Sequence, residues 1–199
     1  MDIPSLKVEA GTHIALRGTS GSGKTTLLHC ISGMTLPDSG EISILGRDIT
    51  KLAESRRDRF RANHIGYIFQ SFNLLDGFTA LENVQLGMQF ADKKIPPARA
   101  EDLLKRVGLG ERLHNRPSQL SVGQQQRVCI ARALANDPEI ILADEPTGSL
   151  DPKTSAEVLA LIKEITAGKT LILVSHETEV LAEFEINIDL TELNQAVPV

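Results

Sequence analysis

Nine residues, "GTSGSGKTT" at 18–26, carry the strongest chemical signal in the sequence. They fit G-x-x-x-x-G-K-[ST], and they lie between a stretch that reads as a strand, "HIALRG" (13–18), and one that reads as a helix, "KTTLLHCIS" (24–32). Gly18, Gly21 and Gly23 let the backbone curl so that successive N–H groups point inward around an anion. The helix start at Lys24 aims its positive end at the same place. A polyphosphate matches that arrangement, with Lys24 reaching the β- and γ-phosphates and the Thr25 hydroxyl holding Mg²⁺.

A second candidate is "IILADEP" (140–146), an apolar strand that ends in two carboxylates. Neighbouring residues on a strand point to opposite faces, so Asp144 and Glu145 have different tasks. Asp144 suits a Mg²⁺ site, directly or through water. Glu145, at the strand's C-terminal edge, suits orientation or activation of an attacking water. A third is "LSVGQQQR" (120–127), where Ser-x-x-Gln forms a capping box from Ser121 and Gln124. The free N–H groups of that helix start form an anion site, and Gly123 in its first turn leaves room for a phosphate to approach. Val122, being β-branched, disfavours positive φ. The glutamines are expected to point outward.

The elements that position these residues follow from periodicity. "HIALRG", "HIGYIF" (64–69), "EIILAD" (139–144) and "TLILVS" (170–175) are near-continuous apolar runs, as in a parallel sheet buried on both faces. "DPKTSAEVLALIKEITAG" (151–168) is a helix capped by Asp151, with Pro152 in its first turn, and Val158, Leu161, Ile162 and Ile165 along one face. Strands alternating with helices predict an α/β fold with a mostly parallel sheet. Residues 71–137 are helical in pattern and read as an inserted α-helical subdomain, leaving 1–70 and 138–199 as the core. In "PPARAEDLLKRVGLG" (96–110), Leu103, Leu104 and Val107 share a face. The charge run "ESRRDRFR" (54–61) reads as a solvated helix face, with a docking surface as the alternative.

The 199 residues are 41% hydrophobic and 24% charged, ordinary for a globular domain. A net charge of -5 and 4% aromatics argue against nucleic acid as a partner. Cys30 and Cys129 sit in apolar contexts and read as buried thiols. No apolar run is long enough to span a membrane.

Taken together, these motifs resemble the ATP-binding subunits of ABC transporters nearly end to end. "GTSGSGKTT" resembles the Walker A loop and "IILADE" Walker B. "YIFQSFNLL" (67–75) resembles the Q-loop region, with Gln70 as its glutamine. "LSVGQQQR" resembles the ABC signature, "SLD" (149–151) the D-loop, and "VSH" (174–176) ends at the switch histidine, His176. The resemblance implies a P-loop NTPase (RecA-like) core and an ATPase. It implies that Gly18, Thr19, Ser20, Gly21, Ser22, Gly23, Lys24, Thr25 and Thr26 contact ATP. Ser121, Gly123, Gln124 and Asp151 would contribute from a second subunit in a head-to-tail dimer. Glu145, His176, Gln70 and Lys24 would be catalytic, and Thr25, Gln70 and Asp144 would hold Mg²⁺. An integral-membrane permease is the implied partner, and the implied location is the cytoplasmic side of the membrane. "QSFNLLDGFTALENV" and "LADEPTGSLD" look most like subunits of lipoprotein-release, macrolide-export and cell-division type.

Two departures stand out. The family's strands before "LKVEAG" look shortened, and no aromatic precedes Phe60 to stack on adenine. The expectation is triphosphate-dominated binding with little preference between ATP, GTP and CTP. "INIDLTELNQAV" (186–197) stands where a terminal strand and glycine turn would be. The alternatives are a soluble cassette ATPase acting on DNA or in translation, and a catalytically weak nucleotide-binding module.

Overall fold

The computed structural model describes residues 1–19 and 21–196. In chain order its elements are β1 (His13–Arg17), α1 (Lys24–Ile31), β2 (Ser43–Ile44), β3 (Arg47–Asp48), α2 (Glu54–His64), β4 (Ile65–Ile68), α3 (Ala80–Met88), α4 (Ala98–Arg106) and α5 (Val122–Ala133). They continue with β5 (Ile140–Asp144), α6 (Pro152–Ile165), β6 (Thr170–Ser175), α7 (Thr178–Leu181), β7 (Ile186–Asp189) and α8 (Leu190–Leu193). Five strands form one parallel sheet in the order β4-β5-β6-β1-β7.

The apolar runs are continuous because both faces of this sheet are buried. Ala15, Ile141, Ala143, Leu171 and Leu173 point to one core, built with α3, α4, α5 and α6. Ile14, Leu16, Leu142, Ile172 and Val174 point to the other, closed by Leu27 and Leu28 of α1, Phe60 of α2 and Leu190 of α8. Alternate residues of one strand thus feed two separate cores, which excludes polar residues from both faces. All six residues of β6 are buried.

Asp151 caps α6 by accepting from the Thr154 N–H, and Pro152 opens the helix, as the sequence predicts. Leu103, Leu104 and Val107 are all buried. Cys30 and Cys129 are free and buried, and burial pushes the Cys129 thiol up to about 12. Among the described residues, no helix is long and apolar enough to cross a membrane.

Three details differ from the sequence reading. His64 closes α2 rather than opening β4. Residues 186–189 do form a strand, paired in parallel with β1. It lies at the sheet edge with only partial burial, so its apolar pattern is short and easily overlooked. A β2–β3 hairpin, turned through Leu45 (φ 52) and Gly46 (φ 75), went unrecognised because leucine rarely adopts positive φ. No strand precedes His13.

One glycine governs how the helices sit on the sheet. A Cβ on Gly66 of β4 would collide with the Ala133 carbonyl oxygen of α5 and lie 2.7 Å from Ile141 Cδ1. The helix therefore rests directly on strand backbone. Gly66→Ala should lower the unfolding free energy by about 3 kcal/mol, read from urea denaturation, because the obstructing atom is main chain and cannot rotate away. Wild-type stability in that variant would refute this close approach.

Candidate functional site

The loop after β1 is built to surround something small and charged. Gly21 (φ 79) and Gly23 (φ 93) adopt the left-handed region, and Gly23 stands at the N-cap of α1 without a side-chain cap. The first N–H groups of α1 are thus left to the loop cavity. The loop is tight: a Cβ on Gly18 would lie 2.5 Å from Ser22 Oγ. Lys24 is buried, and its Nζ donates to the carbonyls of Gly18 (2.7 Å) and Thr19 (3.1 Å). Thr19, Thr25 and Thr26 are exposed on the rim. Ser20 lies outside the described residues.

The two carboxylates after β5 part as strand geometry requires. Asp144 ends the strand, 4% exposed. Burial raises its carboxyl above the ordinary range, with neighbouring Glu145 adding to the rise, while the Thr25 hydroxyl, His29 and Lys24 oppose it. Glu145 leaves the strand with φ 45, and its N–H donates to the Val174 carbonyl at 3.0 Å. That backbone is left-handed at a non-glycine residue, a conformation that concentrates at functional sites. It turns the Glu145 carboxylate toward Lys24 Nζ, 3.7 Å from Oε1. His176, the residue after β6, donates from Nδ1 to the same Oε1 at 2.9 Å when that nitrogen carries the proton.

Three oxygens here are buried without a partner: Ser22 Oγ, Asp144 Oδ1 and Glu145 Oε2. Orphaned buried acceptors are rare in folded proteins and point to a ligand or ion. Asp144 beside Thr25 presents oxygen donors that suit Mg²⁺. Among the described residues, no three His, Cys, Asp or Glu side chains form a metal cage. Mg²⁺ needs none, because it is commonly held by one or two carboxylates together with substrate phosphates.

The other candidates lie apart from this cluster. Gln70 is exposed two residues beyond β4 and takes no part in these contacts. The segment that follows it is gripped from α5. Arg132 donates to the carbonyls of Phe72 (2.7 Å) and Asn73 (2.6 Å), and the Cys129 thiol donates to Phe72 at 3.1 Å. Sequence reasoning missed Arg132, since nothing local distinguishes an arginine that reaches back 60 residues.

Ser121 caps α5 in a full capping box with Gln124, with distances of 3.3 and 3.0 Å. Val122 keeps negative φ as the first helical residue. The three glutamines do not all point outward. Gln125 donates inward to the carbonyls of Pro117 (3.0 Å) and Leu120 (3.1 Å), and Gln126 is 1% exposed with both amide atoms unpartnered. Helical residues advance about 100° each, so three in a row cannot share one face. Gly123 turns toward α6: a Cβ there would lie 2.6 Å from Thr154 Cγ2. Asp151 accepts from Thr154 Oγ1 at 2.6 Å and from Thr154 N at 3.1 Å, contacts that hold its carboxyl below the usual range.

The molecule is similar to known proteins along most of its length. The ABC transporter family model matches residues 1–148. An uncharacterized ABC transporter ATP-binding protein of Thermotoga maritima is 50% identical over 182 residues, 90% of this chain and 78% of that protein. The macrolide export ATP-binding/permease protein MacB of Syntrophobacter fumaroxidans is 47% identical over 191 residues, 90% of this chain but 27% of that longer protein. Among solved structures, the ATP-binding cassette MJ0796, dimeric in a post-hydrolysis state with ADP and Pi, superposes with a TM-score of 0.84 at 41% identity, covering 92% of this chain and 83% of that one. The phosphate-type loop, the paired carboxylates and this likeness over nine-tenths of the sequence lead to one conclusion: the chain belongs to the ABC transporter family, as one of its ATP-binding, ATP-hydrolysing subunits.

Proposed function

We propose that two copies of this chain close around two ATP molecules and use their hydrolysis to drive a membrane permease of export or mechanotransmission type. One observation carries the reading of the site. Lys24 and His176 both meet one oxygen of Glu145, at 3.7 and 2.9 Å from Oε1, beside buried oxygens that lack partners. A triphosphate with its cation would satisfy those groups.

In this reading residues 18–26, Ser20 included, wrap the phosphates. Lys24 exchanges the Gly18 and Thr19 carbonyls for the β- and γ-phosphates. Thr25 and Asp144 hold Mg²⁺, with Gln70 reaching the same region once its segment moves. Bound there, the cation supplies charge neutralisation on the phosphate oxygens. Glu145 orients the attacking water and draws on its proton. His176 fixes the Glu145 carboxylate through Nδ1 and turns its other ring nitrogen outward to the γ-phosphate. Phosphoryl transfer depends on such positioning and charge placement more than on covalent chemistry. Ser121, Gly123, Gln124 and Asp151 do not join this cluster within one chain, which supports their service to the nucleotide of a second copy. The dimeric state named for the similar cassette supports the same arrangement.

For the permease, the supporting surface is a groove of about 660 Å³ between α2, β4 and α5. Met34, Phe69 and Phe90 give it apolar lining, Phe90 at 68% exposure, and Arg59, Arg61 and Arg132 outnumber the one carboxylate that lines it, Asp58, which pairs with Arg61 at 2.7 Å. An apolar segment carrying a carboxylate fits it. The link of MacB's name to a permease on one chain supports that partner class.

Three measurements test this. Glu145→Gln should reduce ATP turnover by about 100-fold or more while retaining ATP binding, so that an ATP-bound dimer accumulates on size exclusion. Turnover like the parent's would remove Glu145 from its role. Asp144→Asn should abolish Mg²⁺-dependent turnover yet raise the thermal midpoint at pH 7. The sign follows from linkage: a carboxyl raised in the folded state contributes stability below its unfolded value of 3.8 and loses it as pH rises through the folded value. The advantage of Asn should therefore vanish near pH 3.5, and an equal advantage at both pH values would contradict the assignment. Finally, Phe90→Asp should abolish co-purification with membranes at unchanged ATPase rate. Undiminished membrane recovery would exclude the groove.

A further inference from the structure

Gly123 and Asp151 stand at the starts of two different helices, and one side chain touches both. Thr154, in the first turn of α6, donates its hydroxyl to Asp151 Oδ2 at 2.6 Å and its N–H to Oδ1 at 3.1 Å. Its methyl carbon occupies the space a Gly123 side chain would need, 2.6 Å from the Cβ position. Farther along the same two helices, Arg127 Nη2 lies 3.5 Å from Glu157 Oε2, and Arg127 Nη1 donates to the Val107 carbonyl at 3.1 Å. The starts of α5 and α6 are therefore in direct contact, and a side chain on Gly123 would force the Thr154 methyl to shift.

We propose that Thr154 is a positioning residue that locks the start of α5 to Asp151, and that its methyl is a second reason, beside the approach of a phosphate, why position 123 is glycine. The inference rests on the head-to-tail reading of the proposed function. In that arrangement Ser121 and Asp151 both meet the nucleotide held by the other copy, so their spacing within one chain decides whether both arrive together. A threonine is suited to the task because its two branches act independently: the hydroxyl holds the carboxylate and the methyl abuts the glycine.

The two branches can be removed one at a time. All variants are made in the Glu145→Gln chain, and ATP-driven dimerisation is measured by analytical ultracentrifugation, with circular dichroism to establish that each is folded. Gly123→Ala should weaken dimerisation about tenfold through overpacking. Adding Thr154→Ser, which deletes the methyl and keeps the hydroxyl, should bring it back to within about threefold of the parent. With Gly123 intact, Thr154→Val, which keeps the methyl and deletes the hydroxyl, should weaken dimerisation about threefold or more, and dimerisation equal to the parent's would overturn the positioning role. If Gly123→Ala alone does not fold, recovery of the fold by Thr154→Ser supports the contact equally. Gly123→Ala that is harmless, or equally impaired with Ser at 154, overturns the inference and leaves the function standing. A Glu145→Gln parent that forms no dimer with ATP overturns the proposed function itself, and the positioning role with it.

Discussion

A buried ammonium group organises this molecule. Lys24 sits under the sheet's carboxyl edge, and an unpaired charge in that position would be strongly unfavourable. Two loop carbonyls and the Glu145 carboxylate offset it, which requires the end of β1, the start of α1 and the end of β5 to lie close together. The parallel sheet supplies that convergence, because the C-terminal ends of adjacent parallel strands lie along one edge. In open α/β sheets ligands bind at that edge. His176, at the end of β6, completes the row. The two apolar cores above and below the sheet thus have a chemical consequence: they fix the strand ends on which every group of the cluster stands.

The parts of the site that were legible in the sequence are those whose geometry is local. A glycine loop between strand and helix, a carboxylate at a strand end and Ser-x-x-Gln before a helix each determine their own hydrogen bonds within a few residues. The capping box of Ser121 and Gln124 is formed as read. Contacts across the fold were not legible. The positive φ of Glu145 depends on its bond to Val174 on the neighbouring strand. Gln125 and Gln126 turn inward because α5 packs on three other helices and on β4, a burial that polar residue types do not announce. Arg132 holds Phe72 and Asn73 through carbonyls, which carry no sequence signal at all. The edge strand Ile186–Asp189 was missed because half-exposed strands have weak patterns.

The helix α5 unites features that are far apart in the sequence. Its first turn carries Ser121 and Gly123 and abuts α6, its middle grips the segment after Gln70, and its end rests on Gly66. A displacement at any one of these points is a displacement of the whole rod, since a helix of 12 residues is stiffer than the loops around it. Gln126, buried in the same helix with both amide atoms unpartnered, is the one element of it without a satisfied environment.

The left-handed backbone at Glu145 bears on how this position can change over generations. A side chain held at φ 45 carries strain that a glycine would relieve and that a β-branched residue would enlarge. Variants that relax the chain there remove the carboxylate, so under the role proposed for Glu145 stability and turnover pull in opposite directions at this one position. Glu145 is held against its own local preference, and its neighbours on β5 and β6, Val174 among them, supply the rigidity that makes this tolerable.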